Sequence, residues 1–166
     1  FPGVRADNDM YTYGFSFNPW QGSIIGKGQE IKTYINDTAE KFNVKENILF
    51  NTQVLSSSWK DNKWTTKTNS KNFTSQYVIC CTGSRDRKNP HLPKFKNENK
   101  YQGKIVHTQT WGKTDYKDKN VTIIGSGCTA ITMAPSIIKQ AKTVTLVQRS
   151  PAWIINIDSK EKSSRA

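Results

Sequence analysis

The spacing of hydrophobic positions changes along the chain, and each spacing predicts a different element. Residues 1–26 are rich in glycine, proline, aspartate and aromatic residues but lack a period, which predicts a structured loop. Over residues 28–42 apolar side chains recur at spacings of three and four, which predicts a helix with one buried face. The members of that face are Ile31, Tyr34, Ile35, Ala39 and Phe42.

After this helix the period changes to two. Residues 48–59 and 63–69 are two predicted strands, and the polar cluster at 60–63 is typical of the turn between them. A third strand is predicted over residues 73–83, with an apolar run at 78–81 and a glycine at its end. The pattern therefore predicts a helix followed by a small antiparallel meander.

The last block begins with a change of composition at Val121. The stretch before it, residues 84–118, holds two of the six prolines and many charges, so we expect little regular structure there. By pattern, residues 121–125 form a short buried strand, 128–141 a helix and 143–148 a second strand. This order predicts a parallel β–α–β unit and an α/β fold class.

The strongest chemical signal lies where the first strand of this unit meets its helix. Residues 125–130 have the form G-x-G-x-x-A, which is the dinucleotide-binding turn when it joins a strand to a helix. Gly125 would permit the tight turn, Gly127 would let a diphosphate approach the backbone, and Ala130 would let the helix pack closely. The helix N-terminus would add N–H groups and a partial positive charge. The alternative is a glycine-rich turn in an ordinary α/β protein.

The end of the second predicted strand indicates which dinucleotide is bound. NAD-binding proteins place an acidic residue there for the ribose 2′-hydroxyl, whereas this chain has Gln148, Arg149 and Ser150. Arg149 could pair with a 2′-phosphate, and the Ser150 hydroxyl could donate a further hydrogen bond. A surface cation is the alternative interpretation of Arg149. The pattern favours NADP over NAD.

Composition changes this picture little. The formal net charge of +12 over 166 residues raises the possibility of a nucleic-acid partner, but the lysines are scattered along the chain. We therefore expect a solvated basic surface and no nucleic-acid partner. Cys80, Cys81 and Cys128 have neither metal-ligand spacing nor a disulfide framework, and we expect them to be buried small side chains with no metal bound.

Length and termini give further expectations. The chain suits one domain or parts of two, and it starts at Phe1 rather than at Met, so we expect a piece of a longer protein. No apolar run reaches the ~20 residues of a transmembrane helix, and no signal peptide is visible. The default expectation is a cytoplasmic protein. The sequence does not indicate an oligomeric state.

Residues 101–111 carry a resemblance to a known family. With Tyr101, Gly103, His107 and Trp111 they resemble the F-x-G-x-x-x-H-x-x-x-W fingerprint of Baeyer–Villiger monooxygenases, within the flavin-containing monooxygenases. The resemblance extends to the opening FPGVRAD, to the predicted first helix, to the strand ending CTG, and to VTIIGSGCTA with its later VQRSP. Within this family the chain looks most like the ethionamide-monooxygenase-like branch. Tyr101 in place of Phe and Gly112 after Trp111 depart from the pattern, so ketone oxidation and nitrogen or sulfur oxygenation both stay open.

The resemblance implies a flavoprotein monooxygenase with FAD and NADP as cofactors and a small organic molecule and O2 as substrates. In such enzymes NADPH reduces FAD, and dioxygen then gives a C4a-peroxyflavin that attacks a carbonyl, sulfide or amine. The implied fold is a partial pair of dinucleotide-binding domains. Residues 1–95 would be the later part of the FAD domain, 96–118 the fingerprint linker and 119–166 the start of the NADP domain. Because parts of both cofactor sites would lie outside the chain, we expect these 166 residues alone to be inactive and to hold FAD weakly.

The resemblance also implies site residues. Asp7 would orient a catalytic arginine outside the chain, although a turn cap is the alternative. Tyr13 would contact the flavin, unless it is a core aromatic residue. His107 belongs to the fingerprint, with a structural or hinge role favoured over that of a base. The implied cofactor-binding set is Arg5, Ala6, Asp7, Tyr13, Val54, Thr82, Gly83, Gly125, Ser126, Gly127, Cys128, Thr129, Ala130, Ile131, Thr132, Arg149 and Ser150.

Three rival functions remain open. The first is a relative of the pyridine-nucleotide–disulfide reductases without oxygenation, which would need a redox cysteine pair beside the flavin. Adjacent Cys80 and Cys81 suit that role poorly, because neighbours on a strand point to opposite faces. The second is a module that binds NADP without catalysis, and the third is a basic nucleic-acid binder.

Overall fold

The computed structural model describes residues 1–83, 86 and 89–154. The chain divides into two compact units, one formed by residues 1–38 with 86–166 and the other by residues 39–85. Parts of the predicted connecting stretch and the end of the predicted NADP domain lie outside the described residues. The domain boundaries inferred from the sequence stay predictions.

The described helices and strands follow the predicted order. They are α1 (Met10–Tyr13), α2 (Gly28–Lys41), β1 (Val54–Lys60), β2 (Lys63–Thr68), β3 (Asn72–Ser75), β4 (Asn120–Ile124), α3 (Cys128–Ile137) and β5 (Thr143–Val147). Three single turns of 3-10 helix lie at Lys45–Asn47, Glu98–Lys100 and Thr108–Thr110.

Helix α2 forms where the three-and-four spacing predicts it, but its buried face differs from the prediction. Ile35 and Phe42 are exposed, whereas Thr38 is 5% exposed. Burial of Thr38 is possible because its hydroxyl donates to the Tyr34 carbonyl at 2.6 Å and accepts from Asn18 Nδ2 at 2.7 Å. The buried face of α2 therefore includes the polar Thr38 in place of the apolar Ile35 and Phe42.

The N-terminal loop packs around one indole. Trp20 is 5% exposed, and its Nε1 donates to the Ser23 carbonyl at 2.8 Å. Its ring meets Tyr34 edge to face, with centroids 5.2 Å apart. A Cβ atom at Gly22 would lie 2.6 Å from Cζ2 of Trp20, so this loop closes only with glycine there. The predicted structured loop is confirmed, and Trp20 is its core.

The second unit contains the predicted meander as the antiparallel sheet β1–β2–β3. Asp61 and Asn62 have φ values of 51° and 58°, and two left-handed residues in succession are typical of a type I′ turn. The turn fixes the register so that Trp59 lies opposite Trp64, with ring centroids 5.6 Å apart.

The third predicted strand is much shorter than expected. It ends at Ser75, which pairs with Trp64, and the next residues of β2 toward its N-terminus lead directly into the turn. Residues 76–83 therefore have no neighbouring backbone on β2 to pair with, and they form no strand. Cys80 and Cys81 lie in this unpaired segment, and both are exposed. The prediction that they are buried is therefore wrong.

The last block forms as predicted, with β4 and β5 paired in parallel from Asn120 opposite Thr143 to Ile124 opposite Val147. Helix α3 covers one face and shares a core of Ile123, Ala130, Met133 and Ile137. The helix ends at Ile137, four residues earlier than predicted, shortly after the internal Pro135 that lacks an N–H donor. Cys128 is exposed rather than buried, since it is the first helical residue beside the turn.

Within the described part of the chain, no helix combines the length and the apolar character needed to span a membrane.

Candidate dinucleotide site

The glycine-rich turn joins β4 directly to α3, as the dinucleotide motif requires. Strand β4 ends at Ile124, and α3 begins at Cys128 with Gly127 as its N-cap. Among the described residues no side chain caps the helix at Gly127. Because the first N–H groups of an α-helix have no partner within the helix, this end can donate hydrogen bonds to an anion.

The two glycines of the turn are required for different reasons. Gly125 has a φ of 134°, a conformation that side chains rarely tolerate. Gly127 is extended, with φ −76° and ψ 173°, so its backbone accepts any residue. A Cβ atom at Gly127 would meet nothing within 4 Å. Neither backbone strain nor packing in the described chain explains glycine there.

Ala130 explains how the helix approaches the sheet. Its side chain is buried at 6% exposure against Ile123 and Met133, in the core between α3 and β4. A larger side chain at this position would push the first turn of the helix away from the strand. The small residue therefore keeps the N-terminus of α3 close to the end of β4.

Arg149 follows β5 at the same sheet edge as the turn. The Gly125 N–H donates to the Val147 carbonyl at 2.9 Å, which ties the turn to the last residue of β5. Arg149 comes two residues later, and both Arg149 and Ser150 are exposed. The structure thus places the backbone of Arg149 at the sheet edge where the turn lies.

The N-terminal segment with Arg5, Ala6 and Asp7 lies in the same unit. The Ala6 N–H donates to the Gly26 carbonyl at 2.8 Å, while Arg5 and Asp7 are exposed. The cap of α1 comes from Asp9, which accepts from the Tyr11 N–H at 2.8 Å. The sequence pattern offered Asp7 as a possible turn cap and did not identify Asp9. An aspartate directly before a short helix is a preferred N-cap, so the sequence did contain a signal for Asp9.

Tyr13 is not a core aromatic residue, since its side chain is 66% exposed. Its hydroxyl lies 3.5 Å from Asn8 Nδ2. The other implied cofactor residues, Val54, Thr82 and Gly83, belong to the second unit. There Val54 opens β1 opposite Thr68, and all three are exposed.

The fingerprint segment has a local explanation for each patterned residue. The ring of Tyr101 lies over Gly103, where a Cβ atom would come within 2.7 Å of Cε1. His107 Nδ1 accepts from the Gln109 N–H at 3.2 Å and so caps the short turn Thr108–Thr110. Trp111 packs against the core beneath α3. The structural role of His107 stays a prediction.

Two features of this unit could not be found from sequence patterns. Gly3 lies against α3, with its Cβ direction blocked by the Thr132 carbonyl and by Ser136. Phe1 packs on the core that contains Ile137. Both contacts join parts of the chain more than 120 positions apart, so no local spacing reveals them.

Fold and turn together define a dinucleotide-binding α/β unit of the Rossmann type. The profile of a family described as "Pyridine nucleotide-disulphide oxidoreductase" matches residues 21–164. This match covers most of the chain, and the chain therefore belongs to that family.

Similar proteins are flavin-dependent monooxygenases. "Probable FAD-binding monooxygenase AlmA" of Acinetobacter sp is 38% identical over 96% of this chain and 34% of its own length. "FAD-containing monooxygenase EthA" of Mycobacterium tuberculosis is 36% identical over 94% of this chain and 34% of its own. A solved structure of oxidised steroid monooxygenase bound to NADP is 28% identical, with a TM-score of 0.80 over 93% of this chain and 31% of that one. The predicted resemblance is confirmed, and the chain spans about one third of the length of these relatives.

Proposed function

We propose that this chain supplies parts of both cofactor sites of an FAD- and NADPH-dependent monooxygenase. Its substrates would be O2 and a small organic molecule, oxidised at a ketone carbonyl or at nitrogen or sulfur. The observation that carries the proposal is the turn from β4 to α3, with its uncapped helix end and the open space at Gly127. The monooxygenases that share the fold give the proposal its reaction class.

The NADP half of the site uses residues 125–132 and the end of β5. The amides at the start of α3 would bind the diphosphate, and Gly127 would leave room for it. The Arg149 guanidinium would pair with the 2′-phosphate, with the Ser150 hydroxyl as a second donor. A guanidinium suits this role because its planar N–H groups match phosphate oxygens in pairs.

The FAD half would use Arg5, Ala6, Asp7 and Tyr13 from the N-terminal segment. Val54 would contact the adenine through its backbone, and Thr82 with Gly83 would lie where the two cofactor domains meet. The aromatic ring of Tyr13 and the charged side chains of Arg5 and Asp7 are exposed, which is consistent with a surface that a ligand covers. Asp7 would hold an arginine from elsewhere in the protein in its catalytic orientation.

When bound, FAD accepts a hydride from NADPH and provides the reaction of O2 that inserts one oxygen atom into the substrate. The chain's own task is to place the nicotinamide dinucleotide and the flavin side by side and to keep water away from them. His107 would stabilise the linker between the two parts. The boundaries 1–95, 96–118 and 119–166, the cytoplasmic location and the lack of a nucleic-acid partner stay predictions from the sequence.

A second candidate is an NADPH-dependent flavoprotein reductase that transfers electrons without oxygenation, which the family description favours. Such an enzyme of the disulfide type needs two cysteines that can join beside the flavin. Cys80 and Cys81 are free and exposed, and they are adjacent in the chain. Adjacent residues seldom direct two thiols at one ring, so we place this candidate second.

Isotope labelling separates the two candidates. The whole protein is incubated with FAD, NADPH, ¹⁸O2 and a panel of a ketone, a sulfide and an amine, and the products are analysed by mass spectrometry. We expect one ¹⁸O atom in one product class, together with NADPH consumption. Gly127→Val is the matched variant, since a Cβ atom there would meet nothing within 4 Å in the described chain and the added side chain would fill the diphosphate space. It should melt like the wild type and form no labelled product.

A reductase would instead consume NADPH and return all the oxygen as peroxide or water. Full labelled product from Gly127→Val would show that the turn does not hold the dinucleotide. Either result contradicts the proposed function.

A further inference from the structure

The backbone of residues 1–6 lies against two helices of its unit, and a glycine forms the contact with each. On one side, Gly3 approaches α3 so closely that a Cβ atom would lie 2.7 Å from the Thr132 carbonyl and 3.1 Å from Ser136 Cβ. The Ser136 hydroxyl is nearer still. Gly3 also has a φ of 76°, which favours glycine.

On the other side, the segment is bonded to the start of α2. The Gly28 N–H donates to the Val4 carbonyl at 2.8 Å, and the Ala6 N–H donates to the Gly26 carbonyl at the same distance. A Cβ atom at Gly28 would lie 2.6 Å from Val4 Cγ1, so this side is also closed to larger residues. The segment thus connects α2 to α3 through close backbone contacts.

We infer that Gly3 is a positioning residue that fixes the adjoining Arg5–Asp7 segment relative to helix α3. The inference rests on the proposed function, in which α3 holds the NADP diphosphate at its first turn and Arg5–Asp7 belong to the junction with FAD. A dinucleotide bound at the N-terminus of α3 restrains the helix, and the contact at Gly3 passes that restraint to the segment. Phe1, which packs on the core under α3, holds the near end of the segment in place.

The physical reason is that the first turn of α3 and the contact with Gly3 belong to the same helix, so a shift of α3 changes both. Thr132 and Ser136 lie one and two turns beyond the start of α3, on the side that meets Gly3. A methyl group at Gly3 must move either the helix or the segment, because backbone atoms block it. A misplacement of about 1 Å between two halves of a reacting pair is enough to slow a reaction by about a hundredfold.

Hydrogen exchange at two amides tests the coupling without measuring activity. In the whole protein, exchange at the Ala6 and Gly28 amides is compared with and without saturating NADP⁺, and the NADP⁺ affinity is measured in parallel. We expect NADP⁺ to slow both amides by about tenfold in the wild type, a coupling within the range usual between linked sites. In Gly3→Ala we expect NADP⁺ to bind but to leave the exchange of both amides unchanged.

Two sets of variants separate this contact from strain and from misfolding. Gly112→Ala introduces a side chain at a φ of 56°, where the nearest atom of the described chain beyond its two neighbours is the Thr110 carbonyl at 4.0 Å, and it should keep the full coupling. Ser136→Leu crowds the same contact from α3 and leaves Gly3 untouched, so it should abolish the coupling even if Gly3→Ala does not fold. Ser136→Ala adds no bulk and should keep it.

The outcomes are distinct. Coupling that persists in Gly3→Ala or in Ser136→Leu, with NADP⁺ bound, overturns the inference and leaves the proposed function intact. Loss of coupling in Gly112→Ala also overturns it, because strain at an unrelated glycine would then suffice. Failure of the wild type to bind NADP⁺ overturns the proposed function and this inference with it. Loss of coupling in both crowding variants and in neither control supports the contact.

Discussion

Two short apolar runs of this chain, each followed by a glycine, have different structures. Residues 120–124 form β4, in which Ile123 is 6% exposed. Residues 76–83 resemble them in sequence but form no strand, and Ile79 is 84% exposed. An apolar run is therefore not enough to make a strand.

The difference lies in what each run can pair with. Strand β4 pairs along its whole length with β5, which follows within the next 25 residues, and α3 between them covers one face. Among the described residues β3 pairs only with β2, which reaches its turn just past the residue opposite Ser75. A β–α–β unit contains both the strand that pairs with β4 and the helix that covers it. The run at 76–83 would need a pairing strand that the meander does not provide.

The largest expected effect on stability comes from removing side-chain volume at the centre of the core between α3 and β4. Ile137 is fully buried between α3 and the sheet, so Ile137→Ala should destabilise the chain by about 2–5 kcal/mol. Ile79→Ala removes the same atoms from an exposed site and should change stability by less than about 0.5 kcal/mol. Urea unfolding of the two variants measures both values. Equal losses would mean that the run at 76–83 is packed after all.

A smaller effect should come from the loop that leads into β4. Asp115 accepts from the Lys117 N–H at 3.0 Å and lies 3.4 Å from Lys119 Nζ, and these two contacts lower the pKa of its carboxyl group. A carboxyl group whose pKa is lower in the folded state stabilises the fold above its unfolded pKa, and this contribution is lost as the pH falls through the folded value. Asp115→Asn should therefore slightly lower the urea midpoint at pH 7.

The same variant has a built-in pH control. The two midpoints should begin to converge as the pH falls below about 3.9, the ordinary aspartate pKa, and should meet once the pH has passed the lower folded pKa and the wild-type group has lost its charge. A gap that stays constant at all pH values would show that the aspartate acts through packing or hydrogen-bond geometry rather than through its charge.

Sequence patterns predicted those parts of the fold that are local. The turn at 125–130, the hairpin turn at 60–63 and the helix at 28–42 each depend on residues within one or two elements, and each formed where the pattern placed it. The α/β class followed from the β–α–β pattern, and the flavoprotein resemblance from the fingerprint at 101–111 together with the other matching motifs.

What the patterns missed depends on contacts between distant residues. Burial of Thr38 required the amide of Asn18, and the close approach at Gly3 required Ser136 on another helix. The strand predicted through residue 83 failed because pairing depends on the length of its neighbour rather than on its own composition. Spacing along the chain carries no information about such partners.

The most direct test of the account is the relative affinity for NADPH and NADH before and after Arg149→Asp. A charge-assisted pair with the 2′-phosphate contributes about 1.5–3 kcal/mol, so the variant should bind NADPH roughly 10- to 100-fold more weakly, with little change for NADH. Lys142→Asp makes the same charge change at the opposite end of β5 and should leave the ratio of the two affinities unaltered. An unchanged NADPH-to-NADH ratio in Arg149→Asp would contradict the assignment of this sheet edge to NADP.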